Sequence, residues 1–145
     1  TRKYMLSKIL VPVDGSENSL RALDHAIYLA KKTGANITVM NVIENPPTVY
    51  VESQKLLNDL LSNFRAESAK ILDNCKQIAE KSDVKIETVI GEGDAASNIV
   101  GYAQKGDFDT IIIGRRGLGR FKEMVLGSIS NKVLHHAKCS VMIVK

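Results

Sequence analysis

Lys8-Ile-Leu-Val-Pro-Val-Asp-Gly-Ser16 opens the first repeating unit of the chain, and its reading decides the fold. The first six residues form a short, nearly continuous apolar run, as expected of a strand buried on both faces. Asp14-Gly15-Ser16 then breaks the run, and an amphipathic pattern follows over about 17–33. Leu20, Leu23, Ala26, Ile27 and Ala30 share one helical face, and Gly34 is the expected stop. The next apolar run, Ile37-Thr-Val-Met-Asn-Val-Ile43, is again strand-like. Strand, helix, strand in this order implies two parallel strands joined by a right-handed crossover.

The same alternation continues to the end. A helical stripe over about 53–81 carries Leu56, Leu57, Leu60, Leu61, Phe64, Ile71, Leu72, Cys75, Ile78 and Ala79 at spacings of three and four. Val84-Lys-Ile-Glu-Thr-Val-Ile90 alternates more cleanly, as an edge strand would. A helix is expected over about 95–105, a strand at Thr110-Ile-Ile-Ile113, a helix from Ser128 to about His136 and a strand at Ser140-Val-Met-Ile-Val144. Five strands and four helices predict one α/β domain over 1–145: a single doubly wound five-stranded parallel sheet, order 3-2-1-4-5, with helices on both faces. The long loop, about 44–52 with Pro46-Pro47, lies just past the second strand's carboxyl end.

The 145 residues suit one core, and 44% apolar with 25% charged is ordinary for a globular chain. Aromatics are 5% with no Trp, which argues against a stacking platform for nucleic acid. The net charge of +4 is mild. Cys75 and Cys139 form no CxxC pair and read as small buried hydrophobes. With no secretory signal or membrane-length apolar run, the expected compartment is the cytoplasm.

In a parallel sheet of this order, ligands bind outside the strand ends where the order reverses, between the first and fourth strands. Two segments meet there: Pro12-Val13-Asp14-Gly15-Ser16, and Gly114-Arg115-Arg116-Gly117-Leu-Gly119, which leads to Gly127-Ser128-Ile129-Ser130. Gly114, Gly117 and Gly127 carry no Cβ, so their backbone could approach a ligand closely. A helix starting at Ser128 would aim unpaired N–H groups and a partial positive charge at the same place. That is an anion socket suited to phosphate. Arg115, Arg116, Arg120 and Lys122 surround it, opposed locally only by Glu123. Asp14 could accept from ribose hydroxyls or cap the helix after it. The ribose role is preferred because Ser16 is available as the cap.

The spacing Gly, two residues, Gly, nine residues, Gly, then Ser or Thr resembles the nucleotide motif of ATP-binding universal stress proteins. Here it reads Gly114, Gly117, Gly127, Ser128. Ile9-Leu-Val-Pro-Val-Asp14-Gly-Ser16, Gly91-Glu-Gly-Asp94 and Ser140-Val-Met-Ile-Val144 are also similar to that family, so the likeness spans essentially the whole chain. The resemblance implies an adenine nucleotide alpha hydrolase-like fold that binds ATP, with Mg2+ or Mn2+ on the phosphates. Asp14 would hold the ribose with Gly114 beside it. Val42 would offer backbone groups to adenine, near Pro12 and Val13. Gly117, Gly127, Ser128, Ile129 and Ser130 would take the phosphates. It further implies a homodimer paired through the last strands, an unidentified protein partner, and a regulatory module in the stress response with at most weak ATPase activity. Two departures stand out: Asn41 where the family often has His, and Cys139 where Pro is common.

Other readings are a low-activity ATP hydrolase or nucleotidyl transferase, and a non-nucleotide scaffold or nucleic-acid binder using the arginines. Gly91-Glu-Gly-Asp-Ala-Ala96 matches a relaxed dinucleotide fingerprint, but Glu92 and Asp94 would repel pyrophosphate. Asp94 as a helix cap explains it better. His25, His135 and His136 have no partner at metal spacing, and no catalytic residue or metal site is expected.

Overall fold

The computed structural model of the chain describes residues 6–44, 53–117 and 126–145. The elements run β1 (Lys8–Pro12), α1 (Glu17–Thr33), β2 (Asn36–Ile43), α2 (Gln54–Lys81), β3 (Ile86–Glu92), α3 (Ala95–Lys105), β4 (Thr110–Gly114), α4 (Ser128–His136) and β5 (Ser140–Val144). All strand pairings are parallel, and the sheet order is β3-β2-β1-β4-β5. The expected architecture is therefore the observed one. Loop residues 45–52, and Arg120, Lys122 and Glu123, lie outside the described residues.

Two cores sandwich the sheet, because neighbouring residues of a strand face opposite ways. Ile9 and Val11 of β1 join Ile37, Val39, Leu23, Ala26, Leu72 and Cys75 under α1 and α2. Leu10 joins Met40, Ile99, Phe108, Ile111 and Val133 under α3 and α4. Ile9, Leu10 and Val11 are all fully buried, which explains why β1 is apolar without alternation.

Local chemistry sets the helix ends. Ser16 caps α1, its hydroxyl accepting the Ser19 N–H at 3.2 Å. Gly34 ends α1 in the left-handed conformation, φ 78°, and its N–H reaches the Ala30 carbonyl at 2.7 Å. Asp94 caps α3 through the Ser97 N–H and hydroxyl, at 2.9 and 2.7 Å. Those bonds hold the Asp94 carboxyl below its ordinary pKa. The fingerprint-like segment is thus a strand end and a cap.

The third strand differs from its expected span of 84–90. Val84 belongs to the end of α2, where its N–H donates to the Ala79 carbonyl at 3.0 Å after a left-handed Asp83. At the other end the ladder runs on, because β2 still offers Val42 and Ile43 as partners for Gly91 and Glu92. Cys139 is half-buried rather than buried, while Cys75 is fully buried.

The central pair, β1 and β4, is paired over very few residues: Ile9 with Thr110 and Leu10 with Ile111. Proline explains the stop. Val13 donates its N–H to Met40 of β2 at 2.8 Å. Alternation then turns the nitrogen of residue 12 toward β4, and Pro12 has no hydrogen there. Past Leu10 the two strands part, and a crevice opens at their carboxyl ends.

Candidate functional site

That crevice is a cleft of about 520 Å³. Its lining includes Pro12, Val13, Asp14, Val42, Gly114, Arg116, Gly117, Ile129 and Ser130, all expected from the sequence. Three other expected residues, Arg115, Gly127 and Ser128, are not in the lining. Met40, Ile43, Phe64, Ile71, Ile99 and Ile113 form its apolar walls. Ser19, Asn41, Glu44, Glu67, Ser68 and Ala95 complete it. All of α2's contribution, Phe64, Glu67, Ser68 and Ile71, lies outside the site residues expected from the sequence. The upper part of the α2 stripe walls the cleft.

Asp14 sits at the end of β1, as its position in the sequence suggested. Its Oδ1 accepts the Ser16 N–H at 2.9 Å, and its own N–H reaches Ser19 Oγ at 3.4 Å. Ser16 is the helix cap, so Asp14 does not have that duty. Gly117 packs directly on the other oxygen: a methyl added there would come 1.9 Å from Asp14 Oδ2. Gly117 therefore leaves the carboxylate where it is.

The other two glycines act differently from the expectation of space cleared for a ligand. A Cβ on Gly114 would lie 2.8 Å from the carbonyl carbon and oxygen of Asn18, in the first turn of α1. The chain's own backbone fills that space, so Gly114 lets α1 approach β4. A Cβ on Gly127 would lie 3.1 Å from Arg116 Cα, and the Gly127 N–H donates to the Arg115 carbonyl at 2.8 Å. Gly127 thus docks the start of α4 onto the Arg115–Arg116 turn.

That docking aims the helix. Gly127 is the N-cap residue and has no side chain to accept from α4. The first intrahelical bond is Asn131 N–H to Gly127 carbonyl, 2.9 Å. The N–H groups of Ser128, Ile129 and Ser130 precede it and have no intrahelical acceptor. Ile129 and Ser130 reach the cleft, while Ser128 is exposed. The Ser130 hydroxyl already donates to the Gly114 carbonyl at 2.7 Å, so its amide is what remains to offer.

The two arginines separate. Arg116 lines the cleft. Arg115 gives its N–H to the Val144 carbonyl of β5 at 2.7 Å, and its Nε is buried with no hydrogen-bond partner among the described residues. It braces the β4–β5 edge and is not brought to the cleft. The sequence alone could not distinguish two adjacent arginines in one loop.

At the adenine end of the resemblance, Val42 lies where β2 outruns β1. Met40 faces β1, accepting from Val13, and Ile43 faces β3, its carbonyl accepting the Gly93 N–H at 2.9 Å. Alternation turns the peptide groups of Val42 to the β1 side, beyond Pro12 where β1 has ended.

Cysteine chemistry has no place in this site. Burial pushes the Cys75 thiol up to about 11 and also raises that of Cys139. Thiolates at neutral pH are therefore scarce. Among the described residues, no group of three or more His, Cys, Asp or Glu side chains is placed to hold a metal ion. No helix among them is long and apolar enough to cross a membrane.

A parallel α/β sheet with a walled crevice at its order reversal, facing an uncapped helix start, defines a domain of the doubly wound class. The universal stress protein family model matches residues 5–145. Universal stress protein YxiE of Bacillus subtilis (strain 168) is 34% identical over 97% of this chain and 100% of its own length. Universal stress protein MJ0531 of Methanocaldococcus jannaschii is 35% identical over 97% of this chain and 83% of its own. The solved structure of universal stress protein UspA from Lactobacillus plantarum aligns with a TM-score of 0.84 at 27% identity, over 99% of this chain and 100% of that one. The chain belongs to the universal stress protein family. More distant structures share the fold at 23% and 21% identity, with TM-scores of 0.74 and 0.72. One is a universal stress protein in complex with cAMP, the other the Archaeoglobus fulgidus protein in complex with dAMP.

Proposed function

We propose that this domain binds an adenine nucleotide, ATP by preference, and works as a nucleotide-dependent regulatory module. The observation that carries this reading is the order of groups across the cleft. Peptide groups of Val42 lie on β2, the Asp14 carboxylate on β1, and the uncapped start of α4 beyond β4. The apolar walls Met40, Phe64, Ile71 and Ile99 suit a flat base. Asp14 suits the ribose hydroxyls. The Ile129 and Ser130 amides and Arg116 suit the phosphates, each bond to a charged oxygen contributing about 1.5–3 kcal/mol. Mg2+ or Mn2+ would come to the site on the phosphate oxygens. The cAMP and dAMP complexes of two proteins with this fold support the ligand class.

β5 closes the sheet as an edge strand, with Met142 38% exposed. Two copies pairing edge to edge there would cover it. A change in the bound nucleotide could then reach a protein partner through that edge, since Arg115 ties the phosphate-binding turn to Val144.

Titration calorimetry of the nucleotide-free protein with ATP, ADP and AMP in magnesium tests the reading. Saturable binding with ATP tightest is expected, and no heat from any of the three would overturn it. Phosphate release near 1 per second or faster, abolished by Gly127→Val, would instead make the protein an ATP-hydrolysing enzyme.

A further inference from the structure

We propose that Asn41 is a positioning residue that ends the β1–β2 ladder one rung early and so keeps the Val42 amide available to the edge of a bound ring. The inference rests on the nucleotide reading for the identity of the ring, but its structural half stands alone. The last rung is Val13 N–H to Met40 carbonyl, 2.8 Å. In a parallel ladder the next would be Val42 N–H to Val13 carbonyl. That carbonyl is already taken, because Asn41 Nδ2 donates to it at 2.8 Å.

The orientation of the Asn41 amide is itself fixed. Ser68 on α2 donates its hydroxyl to Asn41 Oδ1 at 2.6 Å, which leaves the NH2 end for Val13. Both side chains are buried, Asn41 7% and Ser68 2% exposed, where the cleft meets the apolar layer that holds Val39 and Leu72. An apolar pair would pack there without the cost of burying two polar groups. What the polar pair adds is an acceptor withdrawn from β2. Asn41 and Ser68 line the cleft, but the Asn41 amide is spent on Val13 and Ser68, so Asn41 acts on the ring through the Val42 backbone.

The test uses Asn41→Val and the milder Ser68→Ala in the full chain, with amide hydrogen exchange and binding as separate readouts. In nucleotide-free wild type, the Val42 amide should exchange at least tenfold faster than that of Met40. In N41V the freed Val13 carbonyl should capture the Val42 N–H and slow its exchange at least tenfold. Adenosine affinity should fall about tenfold, the value of one hydrogen bond, with tripolyphosphate affinity within twofold of wild type. S68A should move both readouts the same way, by about threefold. A merely structural role would weaken both ligands alike. Equal protection of Val42 and Met40 in wild type, or N41V binding adenosine as wild type does, would overturn the proposal. If wild type bound neither adenosine nor ATP, the nucleotide reading would fall, and Val42 exchange would decide the ladder claim by itself.

Discussion

The two ends of the β1–β4 seam are built in opposite ways. At the amino ends, one carboxylate sews the strands together. Asp109 Oδ2 accepts from Ser7 N–H, Ser7 hydroxyl and Lys8 N–H at 2.7, 2.8 and 2.6 Å, and the Asp109 N–H returns to the Lys8 carbonyl at 2.9 Å. At the carboxyl ends, Pro12 withholds a donor, the strands part, and Asp14 faces a cleft. Two aspartates of the same seam thus carry different duties. Asp109 takes three donors of Ser7 and Lys8 on one oxygen, whereas Asp14 takes the Ser16 N–H on one oxygen and sits beside Gly117 with the other, at the mouth of a pocket. If the cleft binds as proposed, stability and binding are separable along a single pair of strands.

The sharpest way to break that comparison is Gly117→Val. Its side chain must displace the Asp14 carboxylate, so nucleotide affinity should fall a hundredfold or more by calorimetry, while stability to urea changes by less than about 1 kcal/mol. A large loss of stability would mean that the carboxyl end also holds the fold together. Asp109→Ala is the converse. It should lower stability by about 2 kcal/mol, since hydrogen bonds to a charged group are lost, and leave affinity within twofold.

Asp109 adds a pH signature. Burial pushes its carboxyl up, but the bonds from Ser7 and Lys8 outweigh this and hold it below the ordinary 3.8. Its stabilising contribution is therefore complete above 3.8 and is lost as pH falls through the lower folded value. Asp109→Asn should flatten that part of the acid-unfolding profile. The smallest of these effects is expected from Asp14→Asn. It keeps an oxygen for the Ser16 N–H, so stability should hardly move, and affinity should drop about tenfold with the ribose contact weakened.

The sequence made the fold legible because local and global signals agree. The apolar β1 run, the Ser16 and Asp94 caps and the Gly34 stop each say the same thing as the βαβ alternation. The site was legible at β1, β4 and α4, where its residues lie in short, marked segments. It was not legible on α2, because Phe64, Ser68 and Ile71 follow the same stripe as core residues, and only tertiary packing decides which of them meet solvent. Arg115 and Arg116 differ for the same reason: β5 pairs with one and the cleft receives the other. Asn41 is legible in the sequence only as a departure from the family, because its partners Val13 and Ser68 are distant in sequence.

The central claim is that the open end of this seam holds an adenine nucleotide, and thermal unfolding of nucleotide-free protein with ATP and magnesium tests it most directly. At a hundredfold excess over Kd, bound ligand contributes about 2.7 kcal/mol, so Tm should rise by roughly 8 °C in wild type and not in Gly117→Val. An unchanged wild-type Tm, or an equal rise in the variant, would contradict the account.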